Sequence, residues 1–211
     1  MKNLVYLLAI LMLASCTSVR MIDSWKSKEY DNYQPKKILI IGITENLIAR
    51  KKFEERLRLE FQNRGIDAVE SYDVFTSTFS SSKQSENDIQ KEMQRVKNQG
   101  FGAVLISAVK GVDQKTNYSM DTYFRDYYWR RWGHYYFLYQ DVYFVEGYYT
   151  DYNVYHIETT LYNLENDSDK SLVWVGAYDI VNPDNISDTV SDYVNAIIKS
   201  LENENFIRKK S

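Results

Sequence analysis

The apolar positions change period along the chain, and each change marks an element. Lys37 to Thr44 (Lys-Ile-Leu-Ile-Ile-Gly-Ile-Thr) is a short continuous apolar run rich in β-branched residues, which predicts a strand covered on both faces. Ala49, Phe53, Leu57 and Phe61 then recur every fourth residue among Arg, Lys and Glu, so they share one face of a helix that ends near Gly65. Asp67 to Tyr72 reads as a second strand, and Phe75 to Asn87, with five serines, as a surface loop. A second helix follows, with Ser85 as N-cap, Ile89, Met93 and Val96 on its apolar face, and Gly100 at its end. Gly102 to Val109 is the third strand. Strand-helix-strand-helix-strand at these spacings implies parallel pairing through right-handed crossovers.

After Lys110 the pattern changes. Tyr152 to Asn163 and Lys170 to Val181 are long extended runs on either side of the polar turn 164–169, and they predict a hairpin. Asn182-Pro183 marks a stop, read as a cap followed by proline at the first helical position. Ile186, Val190, Tyr193, Val194, Ile197, Ile198 and Leu201 then define a long amphipathic final helix. The expected fold is a single α/β (α+β) domain with a mixed sheet in the order βαβαβ-insert-ββα and helices packed on the sheet.

The amino-terminal segment has a different character. Lys2 precedes an unbroken apolar run from Leu4 to Ala14, too short for a spanning helix, which needs roughly 20 residues. Leu13-Ala14-Ser15-Cys16 follows at once, and Cys16 is the only cysteine. This pattern resembles a bacterial lipobox. The resemblance to bacterial lipoproteins implies cleavage before Cys16 and acylation of its sulfur and its new amino group. Two or three acyl chains give durable anchoring where one is marginal. The expected division is a signal peptide at 1–15, a lipidated tether at 16–35 docking at Trp25, the α/β domain at 36–207 and a tail at 208–211. Thr17-Ser18-Val19 lacks an inner-membrane retention aspartate, which favours the periplasmic face of the outer membrane. With one cysteine, no disulfide framework is available.

The 211 residues carry 26 Lys plus Arg against 29 Asp plus Glu, a formal net charge of −3. Loss of residues 1–15, whose only charge is Lys2, makes the balance more acidic still. Nucleic acid is therefore not an expected partner. The apolar fraction of 44% fills a core.

One composition is unusual. Residues 118–155 hold 12 of the 19 tyrosines, Trp129, Trp132 and three phenylalanines. Strand alternation does not sort these rings onto one face. Three readings stand for the insert at 118–151: a ribbon of cross-strand packed tyrosines, a contact surface, or an aromatic belt at a membrane interface. For the contact surface, Trp129, Arg130, Arg131, Trp132 and Tyr135 are the candidate anchors.

No catalytic or cofactor motif emerges. His134 and His156 are the only histidines, and with Cys16 lipidated no histidine-cysteine metal site can be assembled. Phosphate loops, dinucleotide fingerprints and nucleophile elbows are lacking. His156 reads as a sheet-surface residue near Glu158, and the charged positions from Arg50 to Arg64 as a solvated helix face.

The series Tyr155-His156-Ile157-Glu158-Thr159-Thr160-Leu161-Tyr162, a polar turn, Leu172-Val173-Trp174-Val175-Gly176, then Pro183 and a helix ending in Leu201 resembles a group of uncharacterised bacterial envelope lipoproteins. The likeness covers residues 25–207 loosely and 150–205 best. More distantly, the order of elements is similar to the periplasmic α/β domain of curli-secretion-type lipoproteins and of the amino-terminal part of the TolB translocation protein. It implies a non-catalytic binding or scaffold module of the envelope with a protein or glycan partner. A self-assembling export subunit, hence a homo-oligomer, is the first alternative, and an envelope glycan or lipid hydrolase working through carboxylates the second.

Overall fold

The computed structural model describes residues 19–76, 79, 82–111, 132–140, 154–165, 171–181 and 185–210. Six strands form one mixed sheet: β1 (Val19–Lys26), β2 (Lys37–Ile43), β3 (Asp67–Glu70), β4 (Ala103–Gly111), β5 (Val154–Asn163) and β6 (Leu172–Val181). The helices are α1 (Leu47–Gln62), the single turn α2 (Ser71–Val74), α3 (Glu86–Asn98), α4 (Trp132–Tyr139) and α5 (Ile186–Asn203). Spatial order is β1-β6-β5-β4-β2-β3. β2 pairs in parallel with β3 and β4, and the remaining neighbours are antiparallel. This is the mixed α/β fold that the pattern predicts, with the two crossovers and the hairpin in place.

Two apolar layers sandwich the sheet because its central strands are buried on both faces. On one face Ile38, Ile40, Leu105, Leu161 and Tyr178 meet Phe53, Leu57 and Phe61 of α1 and Tyr193, Ile197 and Leu201 of α5. On the other, Leu39, Ile41, Val104, Ile106 and Val175 meet Ile89 and Val96 of α3 and Trp132, Tyr135 and Tyr136 of α4. Each such fully buried aliphatic contributes roughly 1.5–3 kcal/mol relative to exposure. Arg64 ties the two helices of the first layer together, bonding Glu60 at 2.7 Å and Glu202 at 2.8 Å. Gly176 is fixed by packing: a Cβ there would stand 2.5 Å from the Trp174 ring and 3.0 Å from the Tyr178 ring.

Three regions differ from the sequence reading. The expected tether is partly a strand, since Val19–Lys26 pairs antiparallel with β6, from Val19 opposite Ile180 to Lys26 opposite Trp174. Its alternation is broken by a bulge between Met21 and Asp23, which hides the strand period. The expected cap Asn182-Pro183 lies outside the described residues. Instead α5 is capped by Asn185, whose side chain accepts from the backbone N–H of Ser187 and Asp188. Within the aromatic insert the described part, Trp132–Tyr139, is a helix rather than a ribbon.

Candidate functional site

The two parallel crossovers run in opposite directions along the sheet. The chain passes from β2 through α1 to β3 on one side, then returns through α3 across β2 to β4. Helices therefore depart on opposite faces and leave a crevice beyond the carboxyl ends of β2 and β4, the usual ligand position in such sheets. A cleft of about 300 Å³ lies there. Its floor is Gly42, Ile43, Ser107 and Val109 from the strand ends, and its walls come from the first turns of α1 and α5 and from Tyr155 and Ile157. The lining is mainly apolar, with Arg50, Ser107 and Tyr193 as its inner polar groups and Glu45 at the exposed rim.

Those inner groups are engaged within the domain. The Tyr193 hydroxyl is 2.7 Å from Ser107 Oγ and 2.5 Å from Thr159 Oγ1, and its ring stacks on Phe53. Arg50 donates from Nε to Glu54 Oε1 at 3.0 Å and from Nη2 to Ser71 Oγ at 2.7 Å. Glu54 is completely buried and also accepts from the backbone N–H of Gly42 at 2.9 Å and of Ser71 at 2.8 Å. Burial pushes its carboxyl above the ordinary range, while the Arg50 guanidinium and the Gly42 and Ser71 hydrogen bonds pull it back. One carboxylate thus joins α1, the end of β2 and the start of α2 behind the cleft. The expectation of a solvated face from Arg50 to Arg64 fails here, because α1 lays Glu54 against the backbone of β2.

A second buried polar group lies on the opposite face, under α4. Lys110 Nζ is 3.4 Å from Glu158 Oε1, with side-chain exposures of 6% and 0%. The Tyr135 hydroxyl donates to the same oxygen at 3.2 Å, the Tyr139 hydroxyl bonds Lys110, and the ammonium sits 4.1 Å from the Tyr139 ring centre. Such a pair is held by its hydrogen bonds more than by charge alone.

Of the candidate anchors, Trp129, Arg130 and Arg131 lie outside the described residues. Trp132 and Tyr135 do not fit a contact surface: they are 2% and 0% exposed and pack on the sheet. Cys16 also lies outside the described residues. His156 meets Asp179 across β5 and β6 at 2.5 Å. Among the described residues no group of three His, Cys, Asp or Glu side chains is placed to hold a metal ion.

Buried tyrosines give the domain a distinct alkaline response. Burial raises the phenols of Tyr135, Tyr178 and Tyr193 well above their ordinary value and that of Tyr136 to about 12. A phenol whose pKa is higher folded than unfolded stabilises the fold fully below the unfolded value near 10, and that stability is lost as pH rises towards 12. For Tyr136 the loss is about 3 kcal/mol. We expect the absorbance of these buried tyrosines to rise late and cooperatively, after the gradual ionisation of exposed ones and together with loss of far-ultraviolet dichroism. Ionisation of all 19 tyrosines with the fold intact would refute it.

No family model matches the chain, and no curated protein matches it. Among solved structures, the PelC dodecamer from Paraburkholderia phytofirmans is similar at 14% identity and a TM-score of 0.42, over 90% of this chain and 98% of that one. Lipoprotein GNA1162 from Neisseria meningitidis is similar at 13% identity and a TM-score of 0.40, over 80% of this chain and 99% of that one.

Proposed function

We propose that this chain is a lipid-anchored, non-catalytic binding module of the cell envelope, held by Cys16 at the periplasmic face of the outer membrane. On this reading the aromatic segment 118–151, with Trp129, Arg130 and Arg131, meets another envelope protein or a glycan. The anchoring rests on Leu13-Ala14-Ser15-Cys16 at the end of the apolar run from Leu4 to Ala14. The sheet begins at Val19, three residues after Cys16, so acyl chains on that cysteine hold one end of the sheet within about 10 Å of the headgroups. The non-catalytic reading is supported by the cleft's chemistry. Tyr193 is held at elevated pKa by burial and bonded to Ser107 and Thr159, and Arg50 is committed to Glu54 and Ser71, so these groups orient and donate rather than attack.

The test joins mass spectrometry of the mature amino terminus with in-cell cross-linking. An acylated Cys16 and a cross-linked partner lost on combined Trp129→Ala, Arg130→Ala and Arg131→Ala substitution are expected. An unmodified cysteine would overturn the anchoring, and an unchanged partner set would remove the aromatic segment as its contact. A self-assembling export subunit is the second reading, favoured by β1 lying at the end of the sheet with Arg20, Met21 and Ile22 exposed. Sedimentation in detergent separates the two, since that reading requires discrete oligomers.

A further inference from the structure

Among the described residues, four of the nine large exposed apolar side chains, including the three most exposed, gather at one end of the sheet. Leu47 and Ile48, 68% and 63% exposed, open α1 directly beyond the end of β2. Val181, 44% exposed, is the last residue of β6, and Ile186, 38% exposed, the first of α5. Strands β2, β4 and β6 all run towards this end of the sheet and β1 starts from it, with Val19 opposite Ile180. The four side chains therefore share the end from which the chain leads back to Cys16, around the cleft to which Ile186 also contributes. Single exposed leucines need no explanation, but apolar groups gathered at one end do.

The opening of α1 suits a lipid surface. The first turn of α1 contains no acidic residue, although a helix amino terminus favours one, and Lys51 and Lys52 stand exposed just behind Leu47 and Ile48. Lysines in that position can extend to headgroup phosphates while the aliphatic side chains enter the acyl layer. Arg20 adds a further cation, but it stands opposite Asp179, and Glu45 and Asp188 are acidic at the same end, so the charge there is balanced overall. Among the described residues no helix is long and apolar enough to cross a membrane.

We propose that this strand end is a bilayer-docking face, with Leu47, Ile48, Val181 and Ile186 entering the leaflet that holds the Cys16 acyl chains. The occupant is the bilayer because the link from Cys16 to Val19 spans at most about 10 Å, leaving no length for the domain to stand away. This rests on the lipid anchoring proposed above. Docked so, the cleft mouth faces lipid, and the opposite end of the sheet, with the β5–β6 turn, faces away.

The test uses Cys16 as the only native cysteine. Once it is acylated, Ile48→Cys and Leu59→Cys each offer one reactive thiol, on exposed positions of the same helix about 17 Å apart. Each lipidated variant is labelled with an environment-sensitive dye and placed in phosphatidylethanolamine and phosphatidylglycerol vesicles carrying a nitroxide lipid. Strong quenching at Ile48 and little at Leu59 is the expected result. With the acyl groups present by mass, equal quenching at both positions, or none at either, overturns the docking face and leaves the anchoring intact. A dye response that appears in detergent and grows with protein concentration assigns the face to a second copy and overturns it too. Missing acyl mass on Cys16 defeats the anchoring itself, and the docking with it.

Discussion

Lys110→Met will destabilise the domain by about 3–5 kcal/mol, because it leaves the Glu158 carboxylate at 0% exposure without its cation. For a chain of this size that lowers the melting temperature by on the order of 10 °C. The same substitution removes the ammonium that bonds Tyr139 and lies over its ring, so α4 should loosen first and its amides exchange faster. The charge is the cause, and a second variant shows it: Lys110→Met with Glu158→Leu should recover most of the lost stability, since a buried pair replaced by well-packed apolar groups is often neutral. Urea unfolding of the two variants decides the matter. A single substitution costing less than about 1 kcal/mol would mean that the pair does not hold α4.

Trp132→Ala should cost about 3–5 kcal/mol, the usual range for deleting a buried tryptophan. Trp132 is 2% exposed in the layer formed with α3 and the sheet, where neighbouring Gly133 admits Met93 and Ile89 so closely that a Cβ there would lie 2.9 Å from Met93 Cγ. A contact-surface tryptophan behaves in the opposite way, losing a partner while the urea midpoint stays. Measuring both quantities on one variant separates the roles, and an unchanged midpoint would return Trp132 to the surface set.

That distinction shows where the sequence was readable. The crossovers, the hairpin and the final helix follow from local periods: the β-branched run at Lys37–Ile43, the four-residue step from Phe53 to Phe61, and the long extended runs ending at Asn163 and Val181. The α4 helix is not legible from strand alternation, which sorts its rings onto neither face. Trp132, Tyr135, Tyr136 and Tyr139 recur at three- and four-residue intervals, but Phe137 and Leu138 fill the other side, so no polar face marks the helix. Glu54 was illegible for another reason. Nothing local distinguishes it from Glu55, and only the approach of Gly42 and Ser71, from β2 and α2, makes it a buried acceptor. The strand-end cleft likewise arises from the direction of the crossovers, although Arg50 lies four residues before Glu54 and their pairing at i and i+4 is visible in the sequence.

The first strand of the chain and the last are hydrogen-bonded neighbours, with Val19 beside Ile180. Closing that seam joins residues separated by nearly the whole domain, which is entropically costly and slow compared with local pairing. A polypeptide emerging amino end first cannot complete this sheet until β6 has appeared. The amino-terminal strand of the sheet is thus the earliest to be made and among the last to find its place.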